Sequence, residues 1–303
     1  MLVALLIDLA IGWSAWLFAR LSHPVVWVGA LITFLEHRLN SDAHRHANGA
    51  LAVALTVSAA VLPAGVIQWL LPGGWVGLVA TGILAWPLVA ARSLHDHVEA
   101  VARPLVAGDL EAARRAVAMI VGRDPNRLDQ AGIARAALES LAENASDGVA
   151  APLFWGAVFG LPGIAGYKAI NTLDSMIGHR SARYAEFGMV AARLDDLVNL
   201  IPARLTGLSL ALVSGRPGPA FTTMRRDARR HRSPNAGWPE AALAGGLGVR
   251  LSGPRLYAEG VADEPWLNGD AADPTPEDLS RGLGLYRRAV LLWLAALAAL
   301  ALI

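Results

Sequence analysis

The chain has 303 residues, of which 54% are hydrophobic and 17% are charged, and its formal net charge is +1. Soluble domains carry about 25% charged residues, so this composition is typical of a protein with several membrane spans. So small a net charge gives no basic field for binding nucleic acid. Cysteine is absent, which excludes disulfides, zinc–thiolate sites and a thiol nucleophile.

Apolar runs recur along the chain and predict an all-α polytopic integral-membrane bundle with about 4–6 membrane segments, of which some could be re-entrant. Leu2 to Ala19 lacks a basic start and a cleavage site, so we expect an uncleaved first span. The other apolar runs cover residues 25–35, 51–71, 75–91, 149–170, 197–214 and 289–303. We expect residues 1–303 to form one integral-membrane domain, with the polar segments 92–148 and 215–288 outside the bilayer.

Residues 149–170 contain the sequence Gly160-Leu-Pro-Gly163, which we expect to interrupt the helix. Broken helices at membrane depth are tolerated where they line a cavity. The positive-inside rule places the large polar segments in the cytoplasm. If residues 149–170 and 197–214 both cross fully, residues 171–196 then fall on the opposite face. Two alternatives resolve this conflict: the two runs form a re-entrant pair, or the polar stretch folds back into a cavity of the bundle.

Polar side chains recur at one spacing between Glu139 and Arg204. Three pairs lie three residues apart: Asn144–Asp147, Asn171–Asp174 and Asp196–Asn199. Positions three and four apart share a helix face, so each pair can direct a carboxylate and an amide oxygen at one target. Asp195 also lies four residues before Asn199. Such oxygens suit Mg²⁺, which usually takes one or two carboxylates plus substrate phosphate oxygens.

Each pair alone also fits a structural role. Asn and Asp are common helix caps, and Asp147 with Gly148 could form only a turn before a helix that carries Pro152 in its first turn. Ionisable groups beside membrane-grade sequence favour function instead. Because three pairs occur in one stretch and alternate with arginines, we expect them to converge on one site.

Basic residues lie among these pairs and after them. Within the stretch they are Lys168, Arg180, Arg183, Arg193 and Arg204. A cluster from Arg225 to Arg232 precedes the turn-rich sequence Ser233-Pro-Asn-Ala-Gly-Trp238. Near an anionic leaflet such a cluster is often only a surface anchor. Its position before the turn favours contact with an anionic substrate.

Long motifs in this chain resemble those of the CobD/CbiB family of cobalamin biosynthesis, the membrane adenosylcobinamide-phosphate synthases. They are AENASDGVAAPLFW, YKAINTLDSMIGHRSARYAEFG, ARLDDLVNLIPARLTG, HRSPNAGWPEAALAGGLGVRLSGP and, near the start, HPVVWVG. The likeness covers nearly the whole chain. The AmpE-type membrane proteins are a weaker match.

The resemblance implies an ATP-dependent ligase that joins the carboxylate of adenosylcobyric acid to (R)-1-amino-2-propanol or its O-phosphate. ATP and Mg²⁺ are the implied cofactors, and no Walker A pattern is present to bind ATP. The candidate catalytic residues are Glu143, Asp147, Asn171, Asp174 and Asp196. The candidate metal ligands are Asp174, Asp195, Asp196 and Asn199. The candidates for substrate or phosphate binding are Asn144, Lys168, Arg180, Arg183, Arg204, Arg229, Ser233 and Asn235.

Two other functions remain open from the residues alone. Asp195-Asp-x-x-Asn199 also fits the metal motif of a Mg²⁺-dependent membrane transferase acting on diphosphate lipids, and a non-enzymatic AmpE-like membrane sensor is the third alternative. The expected location is the cell (inner) membrane, with several passes and the site facing the cytoplasm. The expected partners are a corrinoid, aminopropanol or its phosphate, and the lipid bilayer, with homo-oligomers or other corrinoid-pathway enzymes as further partners and no nucleic acid.

Overall fold

The computed structural model describes residues 1–13, 19–20, 22–41, 44–121, 125, 128–257, 260–262 and 264–302. They form two compact units. The first comprises Met1–Ala90 and Ala151–Asn199, and the second comprises Ala91–Ala150 and Leu200–Ile303. The expectation that the whole chain is one membrane domain stays a prediction.

The described chain is built mainly of helices, which confirms the predicted all-α class. The helices are α1 (Leu2–Ile11), α2 (Pro24–Leu39), α3 (Arg45–Leu70), α4 (Gly74–Ala85), α5 (Ala91–Val106), α6 (Leu110–Val117), α7 (Gln130–Asn144), α8 (Ala151–Ile177), α9 (Met189–Val198), α10 (Leu200–Val213), α11 (Pro217–Asp227), α12 (Gly237–Leu247) and α13 (Pro276–Leu300). Four short strands pair antiparallel, β1 (Leu251–Ser252) with β4 (Trp266–Leu267) and β2 (Arg255–Tyr257) with β3 (Gly260–Ala262).

Four helical stretches are long and apolar enough to cross a membrane: Arg45–Leu70, Gly74–Val106, Gln130–Ile177 and Pro276–Leu300. A fifth is present if Met189–Val198 and Leu200–Val213 together form one bent span. Four or five spans agree with the 4–6 membrane segments that were predicted from the sequence. The last segment is longer than expected, because α13 begins at Pro276 and not near Ala289. Of the predicted first span, α1 is described, and residues 14–18 lie outside the described residues.

In the first unit, α3 and α8 pack along each other, and α2 and α9 complete a core that includes Ile32, Val53 and Leu173. Helix α8 is interrupted where the sequence predicts, because Gly160 has a φ of 67° and a ψ of −143°. The amide of Leu161, released from the helix by this break, donates a 2.6 Å hydrogen bond to Gln68 Oε1 on α3. The break is therefore held by a polar side chain, as buried backbone groups require.

A buried carboxylate on α2 holds the loop between α8 and α9. Glu36 is 5% exposed, and its oxygens accept bonds of 2.8 and 2.9 Å from Arg183 Nε and Nη2. Asn40 Nδ2 donates to the same carboxylate at 3.0 Å. This two-point pairing is the geometry for which arginine is suited. Arg183 therefore links two segments that lie far apart in sequence.

We expect the Glu36 pairing to stabilise the protein at neutral pH and to lose its effect in acid. Burial raises the pKa of Glu36, but hydrogen bonds from Asn40 and Arg183 and the charge of Arg183 outweigh it and hold the pKa below its ordinary value. A carboxylate with a lowered folded-state pKa stabilises above its unfolded pKa, and this contribution disappears as pH falls through the folded value. Glu36→Gln should therefore lower the Tm in detergent at pH 7, and the gap from wild type should narrow below about pH 4. A gap that is the same at both pH values would contradict this.

In the second unit, α12 is buried along its length and packs on α10 and α11. The contact with α10 is close, because a Cβ on Gly207 would lie 2.9 Å from the Trp238 carbonyl oxygen. A buried carboxylate also organises this unit: Glu139 Oε1 accepts a 2.8 Å bond from the Ser252 amide. A π-helical turn, Ala145–Ala150, follows α7.

Candidate functional site

Three carboxylates from the predicted set lie near one another in the first unit. Asp174 is in the last turn of α8, and Asp195 and Asp196 are on α9. The charge of Asp174 acts on Asp195, and the charge of Asp196 acts on both of the others. Asn171, one turn before Asp174, lies beside Asp195. Asn171, Asp174, Asp195 and Asp196 are thus close enough for their side chains to interact, and their action as one site stays a prediction.

Asp195 is the most constrained of these groups. It is 9% exposed. Its Oδ2 accepts a 2.9 Å bond from Asn199 Nδ2, and Asn199 Oδ1 accepts a 3.0 Å bond from the Tyr167 hydroxyl. Its Oδ1 is buried and makes no close hydrogen bond within the described part of the chain, although the side chain of Asn171 interacts with the carboxylate. A buried carboxylate oxygen without a close donor is costly, so this atom is suited to accept a cation.

The carboxylate oxygens of Asp174, Asp195 and Asp196 fit an Mg²⁺ ion whose remaining coordination positions are filled by a substrate. The three carboxylates do not enclose one ion by themselves: among the described residues, the group with three ligand atoms within 4.8 Å of one another is His95, Asp96 and Glu99. Mg²⁺ usually takes only one or two carboxylates and fills its other positions with water and phosphate oxygens. The oxygen of Asn199 is engaged by Tyr167, which favours a supporting role for Asn199, and its role as a ligand stays a prediction.

In the group formed by His95, Asp96 and Glu99 on α5, both carboxylates are paired with arginines. Glu99 pairs with Arg103 at 2.8 Å, and Asp96 pairs with Arg92 at 3.6 Å. The three residues of this group lie on one face of the helix, where they are exposed or half-exposed. Such pairs are typical of a solvated helix surface.

The position of Asp174 depends on the glycine that follows α8. Gly178 donates its amide to the Asp174 carbonyl at 2.8 Å. A Cβ on Gly178 would lie 2.0 Å from Asp174 Oδ1. Glycine is therefore the residue that leaves the carboxylate room in its present position.

The predicted phosphate-binding residues of this unit have different surroundings. Arg183 is bound through two nitrogens to Glu36, which favours a structural role. Arg180 is exposed, and its charge acts on Asp196, as does that of Arg193. Lys168 lines an apolar cavity of about 410 Å³ between α2, α3 and α8. The binding of phosphate by these residues stays a prediction.

In the second unit, the first polar pair is at the end of α7. Glu143 and Asn144 are exposed, and Asp147 is half-buried in the π-helical turn. Asn144 Nδ2 donates to the Ser140 carbonyl at 2.9 Å. The sequence allowed a simple turn at Asp147, whereas the structure has a π-helical turn, a feature often found at functional sites. Because the three pairs divide between two units, their convergence on one site stays a prediction.

Two arginines of the second unit, Arg204 and Arg229, have no acidic partner among the described residues, and their charges act on each other. The guanidinium of Arg204 stacks over the Trp238 ring at 4.5 Å and donates to the Leu200 carbonyl at 2.6 Å. The charge of Arg229 acts on Arg204. Within the described residues neither arginine has an ion pair with a carboxylate. Two cations held together in this way favour binding of an anion such as phosphate.

Ser233 and Asn235 help to shape the turn beside these arginines. Ser233 Oγ accepts bonds of 3.2 Å from the amides of Asn235 and Ala236. Asn235 is 6% exposed. These contacts give Ser233 a structural role in the turn, and contact of either residue with substrate stays a prediction.

Asp227 divides the basic cluster into paired and unpaired arginines. This carboxylate is 0% exposed and accepts bonds of 2.9 and 2.8 Å from Arg226, 3.4 Å from Arg230 and 2.8 Å from the Asn268 amide. Arg232 lies 3.5 Å from Glu264. In the described structure Arg225 and Arg229 are the members of the cluster without an ion pair. Hence Arg229 is better placed than Arg226 to bind a substrate anion.

The sequence did not identify three residues that hold polar side chains of the two units in place: Tyr167, Glu36 and Asp227. Tyr167 is four residues before Asn171 and shares its helix face, so helical spacing was an available signal. Glu36 and Asp227 gave no local signal, because the partners that define them come from elsewhere in the chain, Arg183 for Glu36 and Asn268 for Asp227.

Helical stretches of membrane-spanning length, with Asp174 on one of them and Asp195 and Arg204 on the bent pair, define an integral-membrane protein with polar groups on its helices. The chain belongs to the CobD/CbiB family, whose pattern, described as "CobD/Cbib protein", matches residues 1–286. It is similar to the "Cobalamin biosynthesis protein CobD" of Rhodobacter capsulatus, with 65% identity over 96% of this chain and 93% of that one. The proteins of the same name from Brucella anthropi and Rhizobium meliloti are 48% identical (94% of this chain, 90% of theirs) and 43% identical (100% and 96%). No solved structure matches the chain.

Proposed function

We propose that the protein is an ATP-dependent, amide-forming ligase of cobalamin biosynthesis. It joins adenosylcobyric acid to (R)-1-amino-2-propanol or its O-phosphate and gives adenosylcobinamide or its phosphate. Its relatives are named for cobalamin biosynthesis. The observation that carries the proposal is the grouping of Asp174, Asp195 and Asp196, together with the buried Oδ1 of Asp195, which makes no close hydrogen bond among the described residues. Such a group of carboxylates is suited to a metal–phosphate substrate.

Amide formation from a carboxylate in water requires an activated acyl group. In the proposed reaction a carboxylate oxygen of the corrinoid attacks the γ-phosphorus of ATP, and the bond from that phosphorus to ADP breaks. The amine, having lost a proton from its ammonium form, then attacks the acyl carbon of the acyl phosphate. Inorganic phosphate leaves with its electron pair as the amide forms. Both steps depend on positioned charges more than on covalent help from the protein.

Metal binding, phosphate binding and proton transfer are assigned to residues by the chemistry of their side chains. Asp174, Asp195 and Asp196 would hold Mg²⁺, which when bound neutralises charge on the transferring phosphoryl group. Asn199 and Tyr167 hold Asp195 in place. Arg204 and Arg229 bind phosphate oxygens. A carboxylate that is not engaged by the metal, with Glu143 and Asp147 as the candidates, takes the proton of the incoming ammonium.

The location follows from the substrates. ATP is a cytoplasmic nucleotide, so the site faces the cytoplasm from the cell membrane, and the apolar helices contact the lipid bilayer. The positive-inside rule places segments 92–148 and 215–288 in the cytoplasm. The carboxylates between residues 171 and 196 face the same side if the bent pair Met189–Val198 and Leu200–Val213 is re-entrant, or if this stretch folds back into the bundle.

The test is production of the amide by purified protein. Detergent-solubilised protein, incubated with adenosylcobyric acid, the amine or its O-phosphate, ATP and Mg²⁺, should give the coupled corrinoid by mass spectrometry together with ADP. Expression should also restore corrinoid synthesis in a strain blocked at this step. Turnover of a prenyl diphosphate with no coupled corrinoid would support the transferase alternative instead.

A further inference from the structure

A cavity that the proposed reaction does not use lies in the second unit, between the ends of α10, α12 and α13. Its volume is about 270 Å³, slightly below the range of about 300–1,000 Å³ for pockets that hold drug-sized ligands, so it suits a smaller group such as a phosphate. Arginines and glycines from three segments line it: Gly215, Arg216, Gly246, Arg281, Gly284 and Arg288. None of the described residues that line it is acidic. The cavity is therefore suited to an anion.

Two of the three arginines are available to a ligand. Arg216 and Arg288 are exposed and have no ion pair among the described residues. Arg281 is already engaged, because it donates to Asp278 at 2.6 Å and to a backbone carbonyl of α12 at 3.3 Å. Asp278 therefore offsets only one of the three positive charges. The remaining two give the cavity a net positive charge.

The helix ends hold the two available arginines in place. The Arg216 amide donates to Ser214 Oγ at 3.3 Å, just after α10 ends. A Cβ on Gly248 would lie 2.1 Å from Arg216 Nη1, so this guanidinium rests against the C-terminal end of α12, where partial negative charge favours a cation. Arg288 Nη1 donates to the Val213 carbonyl at 3.5 Å. Arginines positioned in this way lose little side-chain freedom when they bind a phosphate.

Apolar surface begins directly beside this cavity. Helix α13 is long and apolar enough to cross a membrane, and residues 289–303, which follow Arg288, are all apolar. Leu292 is exposed and lies four residues after Arg288, on the same helix face. Leu212, near the end of α10, is exposed as well. The cavity thus marks the boundary between a cationic surface and a surface that suits lipid.

An anionic phospholipid matches both sides of this boundary. Its phosphodiester can accept charge-assisted hydrogen bonds from arginine, and its acyl chains can cover the exposed leucines. The positive-inside rule places segment 215–288 in the cytoplasm, so the cavity faces the cytoplasmic leaflet. Basic pockets between membrane helices on that side are known to bind anionic headgroups. A soluble anion would use the arginines but would gain nothing from the leucines.

We propose that this cavity binds the headgroup of an anionic membrane phospholipid. Arg216 and Arg288 bind the phosphate, and Arg281 forms a fixed wall of the cavity. The acyl chains lie along Leu212 and Leu292. The lipid is bound independently of the proposed reaction, for which Arg204 and Arg229 are the phosphate-binding candidates in this unit.

The test measures lipid binding to the full-length protein in a neutral detergent by native mass spectrometry. The probes are phosphatidylglycerol, phosphatidylcholine with the same acyl chains, and glycerol phosphate as a soluble competitor. Phosphatidylglycerol should bind at least ~10-fold more tightly than phosphatidylcholine, which has no net negative charge, and than glycerol phosphate, which has no acyl chains. Equal affinity for the two lipids, or for phosphatidylglycerol and glycerol phosphate, would overturn the proposal.

Two variants remove the site in different ways. Arg288→Gln removes one of the two available cations. Gly284→Leu keeps every charge and fills the cavity, and since a Cβ on Gly284 would meet nothing within 4 Å, leucine can be accommodated there. Each variant should weaken phosphatidylglycerol binding at least ~5-fold. The matched control is Arg287→Gln, which removes the same charge from the next position of α13 but lines a different cavity. It should change the affinity by less than about 2-fold, because exposed charges outside the site are screened.

The comparison separates a built site from general attraction to an anionic surface. Equal weakening by Arg288→Gln and Arg287→Gln, with wild-type binding in Gly284→Leu, would mean that summed charge attracts the lipid and that the cavity is not a site. Wild-type binding in both Arg288→Gln and Gly284→Leu would also overturn the proposal. Gly284→Leu keeps the test valid if Arg288→Gln fails to fold, because leucine favours a helix more than glycine does.

Discussion

Replacing Asp195 with asparagine is expected to reduce ligation by at least about 1,000-fold in kcat, equivalent to about 4 kcal/mol of transition-state stabilisation. The carboxylate has a buried Oδ1 that makes no close hydrogen bond among the described residues, and its Oδ2 is held by Asn199. Asparagine keeps the size of the side chain and can keep the bond from Asn199 through its amide oxygen. It removes the negative charge that would bind Mg²⁺, so catalysis should fail while the fold remains.

The measurement is steady-state turnover in detergent over a range of Mg²⁺ concentrations, with thermal unfolding measured in parallel. Asp174→Asn and Asp196→Asn should also lose activity, because these carboxylates share the same electrostatic environment. Glu186→Gln is the matched control: Glu186 is an exposed carboxylate in the same unit, and it should keep wild-type turnover and Mg²⁺ dependence. Near-normal kcat in Asp195→Asn would mean that this carboxylate only supports the packing of α9.

The pairing of polar residues on one face of each helix could be predicted from the sequence, because it depends on local geometry. Asn171 and Asp174, and likewise Asp195 and Asn199, are spaced to share a helix face, and the structure places both pairs on helices of one unit. The interruption at Gly160 was also predictable, since glycine tolerates the positive φ that it adopts there. Features set by helical spacing and by backbone freedom could thus be inferred from short stretches of sequence.

Features that depend on distant partners could not be inferred in this way. Arg183 was a candidate for phosphate binding, but Glu36, 147 residues away, binds its guanidinium at two points. The sequence of the basic cluster does not distinguish Asp227, but its full burial makes it the group that fixes Arg226 and Arg230. Composition shows how many charges a segment carries, and only the fold shows which of them neutralise each other.

The second large effect is expected at Arg229, where lysine should raise the KM for ATP about 10- to 100-fold with a smaller change in kcat. That range corresponds to about 1.5–3 kcal/mol, the contribution of a hydrogen bond to a charged group. Arg229 lies beside Arg204 and has no ion pair among the described residues. A phosphate site uses the planar fork of arginine, which lysine cannot copy. A lipid anchor acts through summed charge alone, so lysine would serve equally well there.

The choice of control follows from Asp227. Arg226→Lys is unsuitable, because Arg226 binds this buried carboxylate at two points and its loss would leave a buried charge poorly paired. Arg225 is exposed and has no ion pair in the described structure, so Arg225→Lys should keep the KM for ATP at its wild-type value. Kinetics in a neutral detergent remove the anionic leaflet, and flotation with vesicles containing anionic lipid tests anchoring separately. If Arg229→Lys and Arg225→Lys both show wild-type KM values for ATP, the cluster acts as a surface anchor and Arg229 is not part of the site.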